Sequence, residues 1–174
     1  MKTKTISASL ALFIALALGA FQSTIWAADK GTMDASDTKF IKKTSDSGMA
    51  EVKLATLATQ KAERTDVKEF ANMLVSDHSK ANEELASLAK TKGVEVSAMI
   101  PAKAADAFKD LEGESGKNFD KAFLDKMEKD HKNAIDDFES IEKSGKDSDL
   151  KAWVSKTLPT LRAHLDKVKE LKGK

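Results

Sequence analysis

The stretch VKEFANMLVSDHSKANEELASL, residues 67–88, decides the fold class. Val67, Phe70/Ala71, Leu74, His78, Ala81, Leu85 and Leu88 recur every three or four residues, the spacing of one face of an α-helix. That stripe is apolar except at His78. Two further segments repeat the pattern, imidazole included. One reads Phe123/Leu124, Met127, His131, Ala134, Phe138, Ile141; the other reads Leu150, Val154, Thr157, Leu161, His164, Val168, Leu171. All three histidines of the chain therefore fall on inward-facing stripes.

Outward from this helix, Thr65 and Asp66 read as its turn and N-cap, with Glu69 completing a capping box. Gly93 is placed to end it, after Lys90 and Lys92 in a last turn where the helix dipole favours cations. Upstream, a first helix fits from about Asp37 to Glu63, with Phe40, Thr44, Ser47, Glu51, Leu54 and Ala58 on one face. Val52 and Ala55 allow a rotated face with Glu51 at its edge. Downstream, residues 93–116 break the period. Ile100-Pro101 opens a short helical piece to Leu111, ended by Gly113 and Gly116.

A connection of that length far exceeds the roughly 2–8 residues usual between bundle helices, so it reads as a crossover. The third helix runs from about Asn118 to Lys143. Asp147 or Ser148 caps the fourth, in which Pro159 is expected to kink the helix and free the carbonyl of Ser155. Two helical hairpins joined by a long crossover predict an all-α, ferritin-like four-helix bundle over residues 37–172.

Met1–Ala27 has the plan of a secretory signal peptide: Lys2 and Lys4, an apolar run from Leu10 to Phe21, then cleavage after Ala27 with Ile25 at −3. The apolar run is about half of what a spanning helix needs, so no membrane anchor is expected after cleavage. A periplasmic protein follows, with residues 28–36 as a flexible N-terminus. The whole chain has 29 Lys+Arg against 28 Asp+Glu, and loss of Lys2 and Lys4 leaves 27 against 28. That interspersed balance argues against nucleic acid as a partner and leaves a protein partner or a homodimer open. With no Cys there is no disulfide and no thiolate metal site.

Counting from each hairpin tip puts Glu51 level with His78, and His131 level with His164, to within about one turn. One carboxylate and three imidazoles, one per helix, would meet near mid-bundle, where such bundles build metal sites. Imidazole suits Zn, Cu, Fe and Ni, and carboxylate with imidazole suits Fe or Mn more than Cu(I), so a divalent transition metal is the cofactor such a site would take. Glu128-x-x-His131 adds one Glu-x-x-His pair, so Glu128 joins the candidate ligands. A di-iron site would need a second pair, yet Val75 and Leu161 stand three residues before His78 and His164. Met73 and Met127 near two of the histidines read as core filler rather than copper ligands. The competing reading is a metal-free hydrogen-bond network that fixes helix register. Asp77 and Asp130, each beside a histidine, read as solvated acids, and no nucleophile elbow or phosphate loop is present.

Phe70-x3-Leu74-x2-Asp77-His78 matches Phe123-x3-Met127-x2-Asp130-His131 at a separation of 53 residues, a short internal echo. Met49-Ala-Glu51-Val52, Asp77-His78 with Asn82-Glu-Glu-Leu85, Phe119-Asp120 leading to Asp130-His131, and Leu158-Pro-Thr-Leu-Arg-Ala-His164 carry a likeness over about Asp37 to Leu171. In these the chain resembles an uncharacterised bacterial family often labelled "predicted outer membrane protein" and placed in the ferritin-like superfamily. The resemblance implies a periplasmic four-helix domain of unknown function. The outer-membrane label finds no alternating barrel strands here. Two functions follow as expectations. One is a non-catalytic domain that binds a partner or supports envelope stress tolerance; the other is a metal-binding or redox ferritin-like protein.

Overall fold

The structure is a computed structural model that describes residues 33–97, 99 and 102–174. The leader expected over Met1–Ala27 lies outside them, as do residues 28–32 and the Ile100-Pro101 step. Five helices follow in order: α1 (Ala35–Lys61), α2 (Thr65–Thr91), α3 (Ala102–Glu112), α4 (Gly116–Ser144) and α5 (Ser148–Lys172). No strand occurs among the described residues, and none of their helices is long and apolar enough to cross a membrane.

The two hairpins α1–α2 and α4–α5 form an all-α four-helix bundle, with α3 packed on α1 and α4 as the short extra helix of the crossover. The ends of the helices fix the topology. Arg64, at the first tip, donates to the carbonyl of Leu171 at the end of α5. Lys92, just past the end of α2, pairs with Asp147 and Asp149 at the second tip. The order is therefore up-down-down-up, as the long crossover predicts. In α5 Pro159 sits within an unbroken helix, where its missing N–H leaves Ser155 without the usual donor.

Local chemistry differs from expectation in two places. Helix α1 starts at Ala35 rather than Asp37, because Asp34 caps it by accepting from the backbone N–H of Ser36. Residues 35 and 36 thus belong to the helix rather than to a flexible N-terminus. Helix α2 starts at Thr65, so Thr65 and Asp66 lie in its first turn, and its N-cap Arg64 makes no side-chain cap bond. The service comes from across the bundle. Buried Asp120 of α4 accepts from the backbone N–H groups of Glu63 and Arg64, both at 2.9 Å. Gly93 does terminate α2, in the left-handed conformation at φ 68°.

The apolar core comes in two parts. One, toward the first tip, gathers Leu54, Ala58, Val67, Phe70, Leu74, Phe119, Phe123, Met127 and Val168. The other, toward the second tip, gathers Phe40, Ile41, Leu85, Phe138, Leu150, Trp153, Val154 and Leu161. In all four long helices the residue between the two parts is polar and buried: Glu51, His78, His131 and His164. In α1 the buried face rotates toward Ile41, Gly48 and Ala55, while Ser47 is exposed, and Glu51 stays inside.

A candidate metal centre

The four polar residues form a layer across the bundle. The ring centroids of His78, His131 and His164 stand 5.3–5.4 Å from one another, close to an equilateral triangle. One nitrogen from each histidine can be chosen so that the three atoms lie within 4.8 Å of one another. Glu51 closes the fourth side, with Oε2 3.3 Å from His78 Nδ1 and Oε1 3.4 Å from His131 Nδ1.

The hydrogen bonds determine where the ring protons sit. His131 Nδ1 is 2.9 Å from the carbonyl oxygen of Met127, which can only accept, so Nδ1 carries the hydrogen. His164 Nε2 is 2.9 Å from Asp77 Oδ2, a carboxylate oxygen placed to accept from it. Both neutral rings are then bare on their other nitrogen. Those two, His131 Nε2 and His164 Nδ1, face each other at 3.2 Å. Two lone pairs at that separation repel unless something stands between them. In addition, His78 Nε2 and Glu51 Oε1 are buried with no hydrogen-bond partner, a cost of a few kcal/mol if left so.

A proton between the rings would relieve the repulsion, but burial opposes it. Loss of hydration pushes His78 down to about 4. The same cause holds His131 and His164 below the usual value, against the opposing pull of Glu51 and Asp77 respectively. Burial also pushes Glu51 up to about 7, with His131 pulling it the other way. The layer is thus a set of neutral nitrogen donors, with the far nitrogens of two rings held by fixed acceptors.

A metal ion fits such a set. Two nitrogens bound at about 2.0–2.1 Å to a tetrahedral ion are about 3.3 Å apart, close to the spacing of His131 and His164. Outer hydrogen bonds from ligating imidazoles to a carbonyl and a carboxylate are the usual way such rings are oriented.

Of the five candidate ligands, the fold brings Glu51, His78, His131 and His164 together. Glu128 lies apart from them, its oxygens pairing with Lys132 and Lys172. Those two ammonium groups hold its carboxyl down to about 2. Asp77 is the residue that sequence reasoning misses. It reads as a solvated acid, yet it reaches the histidine of a different helix. Asp130, its counterpart in the 53-residue echo, pairs instead with Lys126 of its own helix. The only signal in the sequence is that acids at this position flank two histidines.

The sequence matches the family described as a domain of unknown function, DUF4142, over residues 22–171. The chain belongs to that family. None of the curated proteins matches it. Among solved structures it is similar to a DUF305 fragment from Deinococcus radiodurans, with TM-score 0.72, 11% identity, and coverage of 81% of this chain and 97% of that one. A DUF305 protein from Streptomyces coelicolor superimposes with TM-score 0.67 at 12% identity, covering 78% and 91%. CopM in its Cu(I)-bound form superimposes with TM-score 0.65 at 20% identity, covering 78% and 94%. At these identities the likeness establishes the helical fold.

Proposed function

We propose that this member of the DUF4142 family is an exported domain that binds one transition-metal ion through His78, His131 and His164. The observation that carries the reading is the 3.2 Å approach of His131 Nε2 and His164 Nδ1, each ring's other nitrogen being engaged by an acceptor. An ion between them turns the repulsion of two lone pairs into two bonds. Met127 O and Asp77 fix the orientation of two rings, and Glu51 lies beside the third. Imidazole donors suit copper, zinc, iron and nickel. CopM, a neighbour in fold, was solved with Cu(I), which makes copper the first ion to test. Glu128 has no part in this set.

The reading includes export through the Met1–Ala27 leader to the periplasm and kinship with ferritin-like bundles. In that compartment a buried copper or zinc site serves metal storage, buffering or envelope stress tolerance. The rival reading is a metal-free, non-catalytic binding domain whose histidines form a network. It needs a shared proton between His131 and His164, which their burial disfavours.

Protein secreted by its own leader and purified without a His tag separates the two. About one ion per chain, by elemental analysis and by competition against a chelator for Cu(I) or Zn(II), is expected. The ion should raise thermal stability, because it binds only the folded state. His131→Ala and His164→Ala should abolish binding, and exposed Asp136→Asn should leave it unchanged. Metal-free protein without a thermal shift in Cu(I), Zn(II), Fe(II) or Mn(II) would overturn the reading.

A further inference from the structure

Two cavities meet at Glu51. The inner one, of about 50 Å³, is walled by all four long helices and lined in part by His78, Gly48 and Asn82. The outer one is a larger groove between α1 and α4 whose walls include the exposed Asp136 and part of α3 at Ala107. Lys43, Ser47, Glu51, Ala134 and Asp137 line both. The groove and the inner space thus share the stretch of wall that carries Glu51 and the Lys43–Asp137 ion pair, and of the three histidines His78 borders the inner space.

The inner space is kept open by a missing side chain. A Cβ at Gly48 would stand 2.0 Å from Oδ1 of Asn82, so any larger residue there would drive the amide out of its place. At about 50 Å³ the space exceeds the roughly 10–15 Å³ that a single water needs, so it admits small molecules. The protein supplies three neighbouring nitrogens, and catalytic metal sites with three protein ligands keep a fourth position for water or substrate. Glu51 lines this space, and its Oε1 is buried without a hydrogen-bond partner.

We infer that an ion bound by the three histidines keeps an exchangeable position facing the inner cavity. A small ligand such as water takes it after entering through the α1–α4 groove. A protic ligand there donates to Glu51 Oε1. This inference rests on the three-histidine metal reading.

The probe is carbon monoxide on Cu(I)-loaded, untagged protein, read as the infrared stretch of copper-bound CO. Bound copper is counted separately by chelator competition. One CO band with about one CO per copper is expected. Ala134→Leu, which fills the passage without touching a ligand, should keep copper and weaken CO binding at least tenfold. Ser47→Leu, at an exposed position of the opposite wall, is the second blocking variant should the first fail to fold. Lys90→Gln, at an exposed position that lines neither cavity, should change nothing. One copper per chain with no CO band would mean that Glu51 or another side chain closes the position, and would overturn this inference alone. CO binding unaffected by both blocking variants would overturn the entry route. Absence of copper binding would overturn both readings.

Discussion

Asp37 and Asp120, 83 residues apart in the chain, hold equivalent places in the bundle: each caps the turn of the hairpin to which it does not belong. Asp37 Oδ2 accepts from the backbone N–H groups of Lys146 and Asp147, both at 2.8 Å, as Asp120 does from Glu63 and Arg64. The targets are also 83 apart, since 146 − 63 and 147 − 64 give the same offset as 120 − 37. The offset carries Phe40 to Phe123, Ile41 to Leu124, Val67 to Leu150 and Leu85 to Val168, buried pairs throughout. The polar layer breaks this symmetry in a regular way. Gly48 answers His131, Ala134 answers Glu51, Leu161 answers His78 and Ala81 answers His164. At each pair only one member brings a titratable group.

Removing either carboxylate strands two backbone donors. Bonds to a charged acceptor contribute about 1.5–3 kcal/mol each, and part of that returns if water reaches the turn. Asp37→Ala and Asp120→Ala should each cost about 2–4 kcal/mol in denaturant unfolding. The two turns lie at opposite ends of the bundle, so the double variant should cost the sum to within about 0.5 kcal/mol. A cost under about 0.5 kcal/mol for both single variants would show that the turns hold without them.

Leu74 and Phe138 test the two parts of the core, one on each side of the polar layer. Both are buried, and their truncation to Ala should each cost about 2–5 kcal/mol. Unfolding should stay a single transition in both variants, as it does for most small domains. A variant in which one half melts first would show that the histidine layer uncouples the two.

The helices and their order are readable in the sequence because local rules set them: period, caps at Asp147 and Gly93, and the length of the crossover. The meeting of Glu51 with the three histidines is readable too, because helical rise converts residue counts from a tip into height. What the sequence hides is lateral. Asp120 serves the first turn and Asp77 serves His164 by contacts that join different helices. Neither is encoded in any local pattern. Glu128 is misread for the same reason: the i, i+3 spacing gives its height, and Lys172 of another helix decides which way it turns.

The pH dependence of the metal-free protein should have two opposed parts. The histidines have folded values below their unfolded value of about 6.5, so the unfolded chain binds more protons and stability falls as pH drops below that value. For His78 the loss is complete only near pH 4. Glu51 acts with the other sign. Its folded value is raised from 4.5 to about 7, so the stability its proton supports is present below pH 4.5 and is lost as pH rises through 7. Glu51→Gln should therefore stabilise the metal-free protein at pH 8 by about 1–3 kcal/mol and do much less at pH 4.5. Equal effects at both pH values, by thermal or denaturant melts, would mean that Glu51 is ionised throughout.

The last prediction separates Asp77 from Asp130, residues that occupy matching places in the 53-residue echo. Asp77 takes the hydrogen of His164 Nε2 and so leaves Nδ1 bare toward His131. Without it the His164 ring is free to carry its hydrogen on Nδ1, where it would donate to His131 Nε2 and satisfy both rings with no ion present. Removing the acceptor thus stabilises the metal-free network and weakens the metal-bound one. Loss of such an outer partner typically costs 10–100-fold in metal affinity. Asp77→Ala should fall in that range for Cu(I) or Zn(II), with the stoichiometry still about one per chain. Asp130→Asn, which loses only its pairing with Lys126, should change affinity by less than about threefold. Asp77→Ala should also bind its ion with a shallower pH dependence, because Asp77 favours the protonated His164 ring and its loss leaves fewer protons for the ion to displace. Equal affinities for the two variants, measured by chelator competition, would remove Asp77 from the site and leave the orientation of His164 to packing alone.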